Sequence, residues 1–340
     1  MSWKSRETLG EQLVGEVFDL TAPPHEWLLN QPDGFAWWPG EMAQRVWTED
    51  GLYQNGRTYY RVHCETDLVK GRNQREQLDA MLECEMDHCL FSCLVYDKRT
   101  DVYRLHTCVY AEGENAQWTT KLFHSAARLQ LFSAYRMVDK VTQQFHSAHA
   151  TSAHPVGGLR EDRDQRVNQG PESFIAAGQQ PSRWIDADEW RDVDWAMDRQ
   201  AHSWQKSDKR SSLSHFYWAP DTNQTIELLI TADEPHPIIG NGLHFTLTVP
   251  LKMSPKHVAY MALELNEHER STWLKTHMLG SWCNHNGALS FRLFVPNALY
   301  QEGVLHELSV SMAGRANWTN EYFYAKKVEA ERARQPSKQG

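Results

Sequence analysis

Hydrophobic and polar positions repeat in the same order along two separate stretches of this chain. Apolar residues that alternate with polar ones predict strands, and apolar residues spaced three and four apart predict helices. The first stretch predicts strands over 43–48, 59–68, 89–96 and 102–110, and helices over 74–87 and 115–145. The second predicts strands over 225–231, 243–251, 278–283 and 288–295, and helices over 255–269 and 300–324. Each stretch is therefore predicted to form one unit of the order ββαββα.

This repetition predicts an α+β protein with two tandem antiparallel-sheet domains, whose helices pack on one face of each sheet. The hairpin turns at 97–101 and 284–287 are rich in Asp, Asn or Gly, as tight turns require. A duplication of this kind further predicts that the domains are related by an approximate two-fold axis. The chain would then be a monomer that acts as an internal pseudo-dimer.

The composition changes sharply between the two units and at both ends of the chain. Residues 147–214 combine a charged, Gly- and Pro-punctuated run with four tryptophans near 182–204, which predicts a mobile linker followed by a short docked helix. The predicted division is an N-terminal helix and connection (1–34), a first domain (35–146), the linker (147–214), a second domain (215–326) and a charged tail (327–340).

Charge and hydropathy exclude several functional classes. The 340 residues contain 35 Lys+Arg and 44 Asp+Glu, a net charge of −9, so no basic surface for nucleic acid or anionic membrane is expected. No apolar run approaches the roughly 20 residues of a membrane span. The first residues lack the apolar core of a secretory signal, and we expect a cytoplasmic protein.

Six cysteines fit this compartment, because they lack the regular spacing of a secreted disulfide framework. They are Cys64, Cys84, Cys89, Cys93, Cys108 and Cys283. Most lie in apolar, strand-like runs, which favours buried free thiols.

Candidate metal ligands form two groups. These are Cys84, His88, Cys89 and Cys93 in one, and His124, His146, His149 and His154 in the other. Neither group offers a complete, convergent ligand set, so no metal is predicted. Sequence motifs for phosphate loops, dinucleotide binding, nucleophile elbows and zinc proteases are absent, and neither a cofactor nor a catalytic residue is predicted.

Aromatic residues are the remaining oddity of the composition, with fourteen tryptophans. Most are expected in the core, as large aromatic side chains usually are. Four lie in Pro-flanked loops or beside a hairpin and are predicted to bind a partner, because aromatic anchors bury much area at little entropic cost. They are Trp37, Trp38, Trp218 and Trp282.

The order of elements resembles the type III secretion chaperone-like domains, including the YbjN-like group. The similarity rests on that order and on three stretches, 35–39, 233–242 and 296–300, rather than on a catalytic motif. It implies small α+β modules that hold segments of other proteins. The function predicted is therefore non-enzymatic binding of a partner protein. The alternative is an enzyme with an unrecognised site between the lobes around Asp233, Glu234 and His236, where two acids and a histidine could support acid–base chemistry.

Overall fold

The structure is a computed structural model that describes residues 6–71, 75–86, 90–169, 171–206, 208, 210–272 and 276–334. Within these residues the chain is a mixed α+β protein with two antiparallel sheets, which confirms the predicted class. No helix in the described ranges combines the length and the hydropathy that crossing a membrane requires.

The first half of the chain builds the larger sheet. Its elements are α1 (Leu9–Thr21), β1 (Leu28–Asn30), β2 (Gly34–Trp37), β3 (Gln44–Thr48), β4 (Leu52–Gln54), β5 (Arg57–Lys70), α2 (Arg75–Met86), β6 (Cys93–Asp97), β7 (Val102–Ala111), α3 (Ala116–Phe145) and β8 (Ala148–His149). The strand order is β1-β2-β3-β5-β7-β6, and β4 and β8 both pair with β5 outside this path. Helices α1 and α3 cover one face of this sheet.

The second half builds a six-stranded sheet. Three helices precede it, α4 (Gln165–Gln169), α5 (Glu172–Gly178) and α6 (Trp190–Gln200). The following elements are β9 (Ser203–Gln205), β10 (Ser211–Tyr217), β11 (Thr225–Thr231), β12 (Gly242–Thr248), α7 (Pro255–Ser271), β13 (Ser281–His285), β14 (Ala288–Pro296) and α8 (Val304–Arg334). Their order in the sheet is β9-β10-β11-β12-β14-β13.

Each half has four main-sheet strands before its first inter-strand helix, where the sequence predicted two. The additional strands are β1 and β2 in the first half and β9 and β10 in the second. Strands β1 and β9 have only three residues each, too few to show a period of two. Strand β2 is buried along its whole length, and β10 buries two serines, so neither shows the usual apolar alternation.

The region predicted as a linker is packed against both halves. Helix α4 contacts α3, α5 contacts β14, and α6 contacts α8. Trp184 and Trp190 are fully buried, whereas Trp195 is about half exposed. The second sheet begins at β9, inside the predicted linker, and α8 continues to Arg334 through the start of the predicted tail. The composition of this segment suggested mobility because its buried apolar residues, such as Trp184 and Trp190, are few and lie among charged ones.

Each half also packs on the other. Helix α2 contacts β13, helix α7 contacts β6, and the two helices contact each other. Cys108 in β7 exchanges two backbone hydrogen bonds with Met278, which precedes β13, at 3.1 and 2.8 Å. The Arg61 side chain donates to the backbone carbonyl of Arg270 at 2.8 Å. These contacts place the end of α7 over the side of the first sheet that α3 does not cover, and the chain before β13 along the edge of β7.

Candidate functional site

The strand face opposite α3 carries a buried row of polar side chains. The odd-numbered residues of β5 from 61 to 67 and the even-numbered residues of β7 from 104 to 108 lie on this face. The residues between them face α3, where Thr66 and Thr107 contact Gln130. His63 pairs with Cys108 across the two strands, and Glu65 pairs with His106. His63, Cys108, Glu65 and His106 are all at most 4% exposed. Cross-strand partners are close enough to interact directly, so the register itself assembles the cluster.

Cys108 and His63 form the centre of this cluster. The Cys108 sulfur lies 4.0 Å from His63 Nε2, and the same nitrogen lies 3.1 Å from a carboxylate oxygen of Glu49. The Trp47 ring stacks on His63 with 4.9 Å between ring centroids and 9° between planes. His63 Nδ1 is buried without a hydrogen-bond partner. The imidazole is thus fixed by stacking, with one nitrogen turned toward both the thiol and the carboxylate.

A second imidazole lies beside the first. His106 Nδ1 is 3.1 Å from Glu65 Oε1, and Arg270 from α7 donates to the same oxygen at 2.7 Å. His106 Nε2 is buried and has no hydrogen-bond partner. Cys108 lies two residues further along β7, on the same face of the strand as His106.

Neighbouring groups in the cluster shift one another's pKa values toward the charged forms. Burial by itself raises the pKa of the Cys108 thiol, but the charge of His63 and the neighbouring His106 imidazole lower it well below its usual value. Burial lowers the pKa of His63, and Cys108 and Glu49 more than reverse this, raising it to about 9. Burial raises the pKa of Glu65, yet His106 and Arg270 hold it well below its usual range. The geometry therefore favours a thiolate–imidazolium pair flanked by carboxylates.

A cleft lies where the two halves meet. Its volume is about 440 Å³, and both halves line it. Its lining includes Arg75, Tyr96, Tyr260, Glu267, His268 and Tyr322. The Arg75 guanidinium lies 5.2 Å from the centroid of the Tyr96 ring and 5.8 Å from that of Tyr260. Arg270 donates to Glu267 Oε1 at 3.3 Å, whereas Glu267 Oε2 has no hydrogen-bond partner.

The four tryptophans predicted to bind a partner all lie in the interior. Trp37, Trp38, Trp218 and Trp282 are at most 5% exposed. Three of their indole N–H groups donate inside the molecule: Trp37 to Gln44 at 3.0 Å, Trp38 to the Ser152 carbonyl at 2.8 Å and Trp282 to Glu269 at 2.6 Å. These positions match the core placement expected of most tryptophans, and partner binding by them stays an untested prediction.

The candidate metal ligands are dispersed. Of the cysteine group, His88 and Cys89 lie outside the described residues, Cys84 is exposed on α2, and Cys93 is buried in β6. His124 lies on α3, where burial and the charge of Arg128 lower its pKa to about 4. His149 lies in β8 and contacts Glu41. Among the residues that the structure describes, no group of three or more His, Cys, Asp or Glu side chains is arranged to hold a metal ion.

Two other singled-out histidines have the same structural role. In His154-Pro-Val-Gly-Gly158 and His236-Pro-Ile-Ile-Gly240, the first and last residues exchange two backbone hydrogen bonds of 2.8 to 3.0 Å. The imidazole Nδ1 accepts backbone N–H groups two and three residues later, at 2.8 to 3.3 Å. His236 is therefore turned inward to fix its loop, while Asp233 and Glu234 are exposed. The structure does not bring these three residues into one cleft.

Sequence reasoning missed both the Cys108 cluster and the repeated loop. The available signals were His63-x-Glu65 and His106-x-Cys108 on neighbouring strands, and His-Pro-x-x-Gly occurring twice. Comparison with protein-family models, with curated proteins and with solved structures finds no match for this chain.

Proposed function

We propose that this chain is a protein-binding module whose two similar units pack as the subunits of a chaperone-like dimer would. The proposal rests on equivalent strand orders. The two sheets have the same strand order when their strands are matched in sequence. The path β1-β2-β3-β5-β7-β6 of the first sheet then corresponds, strand by strand, to β9-β10-β11-β12-β14-β13 of the second. Helices α2 and α7 then occupy equivalent places in the chain order, as do α3 and α8.

The contacts between the units support a two-fold arrangement. Under this equivalence α2 corresponds to α7 and β6 corresponds to β13. The packing of α2 on β13 is then the counterpart of the packing of α7 on β6, and α2 meets α7. Reciprocal contacts of this type are the property of an isologous interface. A ββββαββα unit thus replaces the shorter predicted unit in this proposal.

The cleft between the units is the binding site that we propose. The observation that carries it is the combination of tyrosine rings from both units with the half-exposed Glu267 carboxylate, of which Arg270 engages one oxygen and the other has no hydrogen-bond partner. Tyrosine faces and carboxylates attract Arg and Lys side chains. The net charge of −9 favours the same ligands. We therefore propose that the partner segment is extended and basic.

The test uses peptides selected by the full-length protein from a displayed random library, with Tyr260→Ala as the cleft variant. Tyr53→Ala is the matched control, because Tyr53 is 72% exposed on β4, away from the cleft. We expect selected peptides to be enriched in Arg or Lys. Tyr260→Ala should weaken their binding by about 2 kcal/mol, as at an interface hot spot, with Tyr53→Ala near wild type.

Failure to enrich basic peptides, or equal binding by both variants, would contradict the cleft. Glu267→Gln provides a second check, since it keeps the shape of the side chain and removes its charge. Affinity should fall for peptides with Arg or Lys and stay unchanged for variants of the same peptides with citrulline or norleucine.

A further inference from the structure

Cys108 has surroundings unlike those of Cys64, Cys84 and Cys93. Cys64 and Cys93 are also buried, and burial raises the pKa of each thiol well above its usual value. Cys84 is exposed on α2. The Cys108 sulfur instead lies 4.0 Å from His63 Nε2, and His106, whose Nε2 is buried without a hydrogen-bond partner, lies on the same face of β7. The described residues thus include a thiol in a polar, cationic environment, together with buried and exposed thiols for comparison.

We propose that Cys108 is a modification site, at which a small hydroperoxide is attacked by a thiolate that His63 and His106 hold in place. Cysteine reactivity depends on the thiolate and is promoted by neighbouring histidinium or arginine. The charged and titratable groups that act on the sulfur directly are His63 and Arg61 of β5 and His106 of β7. Glu49 pairs with His63, Glu65 pairs with His106 and with Arg270 of α7, Cys93 of β6 shares an apolar cluster with Cys108, and His277 before β13 contacts the neighbouring Tyr110.

The step balances with the groups present and the peroxide. The Cys108 sulfur attacks one peroxide oxygen, forming an S–O bond while the O–O bond breaks. The leaving hydroxide or alkoxide takes the proton of the His63 imidazolium and departs as water or alcohol. Sulfur is oxidised by two electrons to the sulfenic acid, and the peroxide is reduced by the same two electrons.

The site fits a small reagent and no larger substrate. Cys108 is 3% exposed, and the backbone of Met278 is hydrogen-bonded to it. Solvent meets the cluster at Glu49, whose side chain is one-third exposed, and at the partly exposed Trp47. We infer that a hydroperoxide enters at this edge, where the His63 ring that protonates the leaving group contacts both Glu49 and Trp47.

The experiment measures the rate at which each cysteine of the full-length protein forms sulfenic acid. The protein is exposed to hydrogen peroxide between pH 6 and pH 8 and then denatured in the presence of dimedone, so that the probe reaches every sulfenic acid, and labelling is read by peptide mass spectrometry. For an ordinary thiol such as Cys84 the thiolate fraction, and with it the rate, rises roughly 50- to 100-fold over this range. We expect the rate at Cys108 to change less than about threefold.

His63→Gln should restore a steep rise at Cys108, and circular dichroism checks that this variant is folded. If the variant is unfolded, the wild-type slopes decide alone. A rate at Cys108 that rises in parallel with Cys84, no labelling of Cys108, or labelling only as fast as the protein unfolds would each overturn the proposal.

Discussion

At the residue scale, the most deeply buried ion pair lies within the second unit. Arg315 and Glu269 have side chains that are both 1% exposed, and two guanidinium nitrogens contact the carboxylate at 2.9 and 2.7 Å. Arg315 also donates to the His277 carbonyl at 2.9 Å and lies 3.7 Å from the centroid of the Phe291 ring. Trp282 is the remaining donor to Glu269. One indole N–H cannot replace a charge, so Glu269 depends on Arg315.

We predict that Arg315→Met lowers the free energy of unfolding by about 3 to 5 kcal/mol, because it leaves the Glu269 carboxylate buried and unpaired. Lys326→Ala is the control, since its ion pair with Glu264 is exposed and should cost at most about 1 kcal/mol. Urea denaturation of both variants measures the difference. Adding Glu269→Gln to Arg315→Met should recover part of the loss. Equal stability of Arg315→Met and Lys326→Ala would refute this reading.

At the element scale, the two His-Pro-x-x-Gly loops show how one local structure serves different surroundings. Gly158 and Gly240 both have positive φ, +73° and +88°, a conformation that favours glycine. A Cβ on Gly158 would meet open space, whereas one on Gly240 would lie 2.6 Å from the Gly178 carbonyl oxygen at the end of α5. Asn241 N donates to that same oxygen at 2.8 Å. The second loop is therefore a docking point for α5, and the first is not.

We predict that Gly158→Ala costs about 1 to 2 kcal/mol, the strain of a left-handed alanine. Gly240→Ala should cost about 2 to 5 kcal/mol, because the same strain is joined by a backbone clash that displaces α5. Thermal or urea unfolding of the two variants gives the comparison, and hydrogen exchange should show increased opening of α5 only in Gly240→Ala. Equal costs, or no change at α5, would mean that this contact contributes nothing.

The elements also show what the sequence could and could not predict. Long strands with one apolar face, such as β5, β7 and β12, and long helices such as α3 were predicted within a few residues, because their periodicity is sampled over many positions. Short edge strands such as β1 and β9 contain too few residues to show a periodic pattern. The Cys108 cluster was missed for another reason: alternation placed His106 and Cys108 on one face, but only the folded register brings His63 opposite Cys108. Its covering residue Arg270 comes from 205 positions further along the chain than Glu65.

At the scale of the whole molecule, polar contacts link the two halves in addition to apolar ones. Arg270 of α7 reaches Glu65 of β5, Arg61 reaches backbone carbonyls at the end of α7, and His277 Nδ1 accepts the Tyr110 backbone N–H at 3.2 Å. Buried polar groups of this kind become costly when a partner is removed. The boundary between the halves falls between α4, which packs on α3, and α5, which packs against β14.

We predict that a chain cut at a protease site inserted between α4 and α5 stays together as one particle at pH 7. Arg270→Ala should weaken this association by about 2 to 5 kcal/mol, because it leaves Glu65 buried without its guanidinium. Lys256→Ala is the matched control: its ion pair with Glu76 also joins α7 to α2 but is exposed, so the change should stay below about 1 kcal/mol. Size-exclusion chromatography over a dilution series measures both.

The same contact makes the association of the halves depend on pH. The pKa of Glu65 is lowered in the fold, so the stabilisation that Glu65 contributes is present above the unfolded value of 4.5 and is lost as the pH falls through the folded pKa. Association of the wild-type halves should accordingly weaken in acid, and Glu65→Gln should reduce that dependence. Separation of the wild-type halves at pH 7, or equal association of the Arg270→Ala and Lys256→Ala proteins, would show that the polar contacts do not hold the units together.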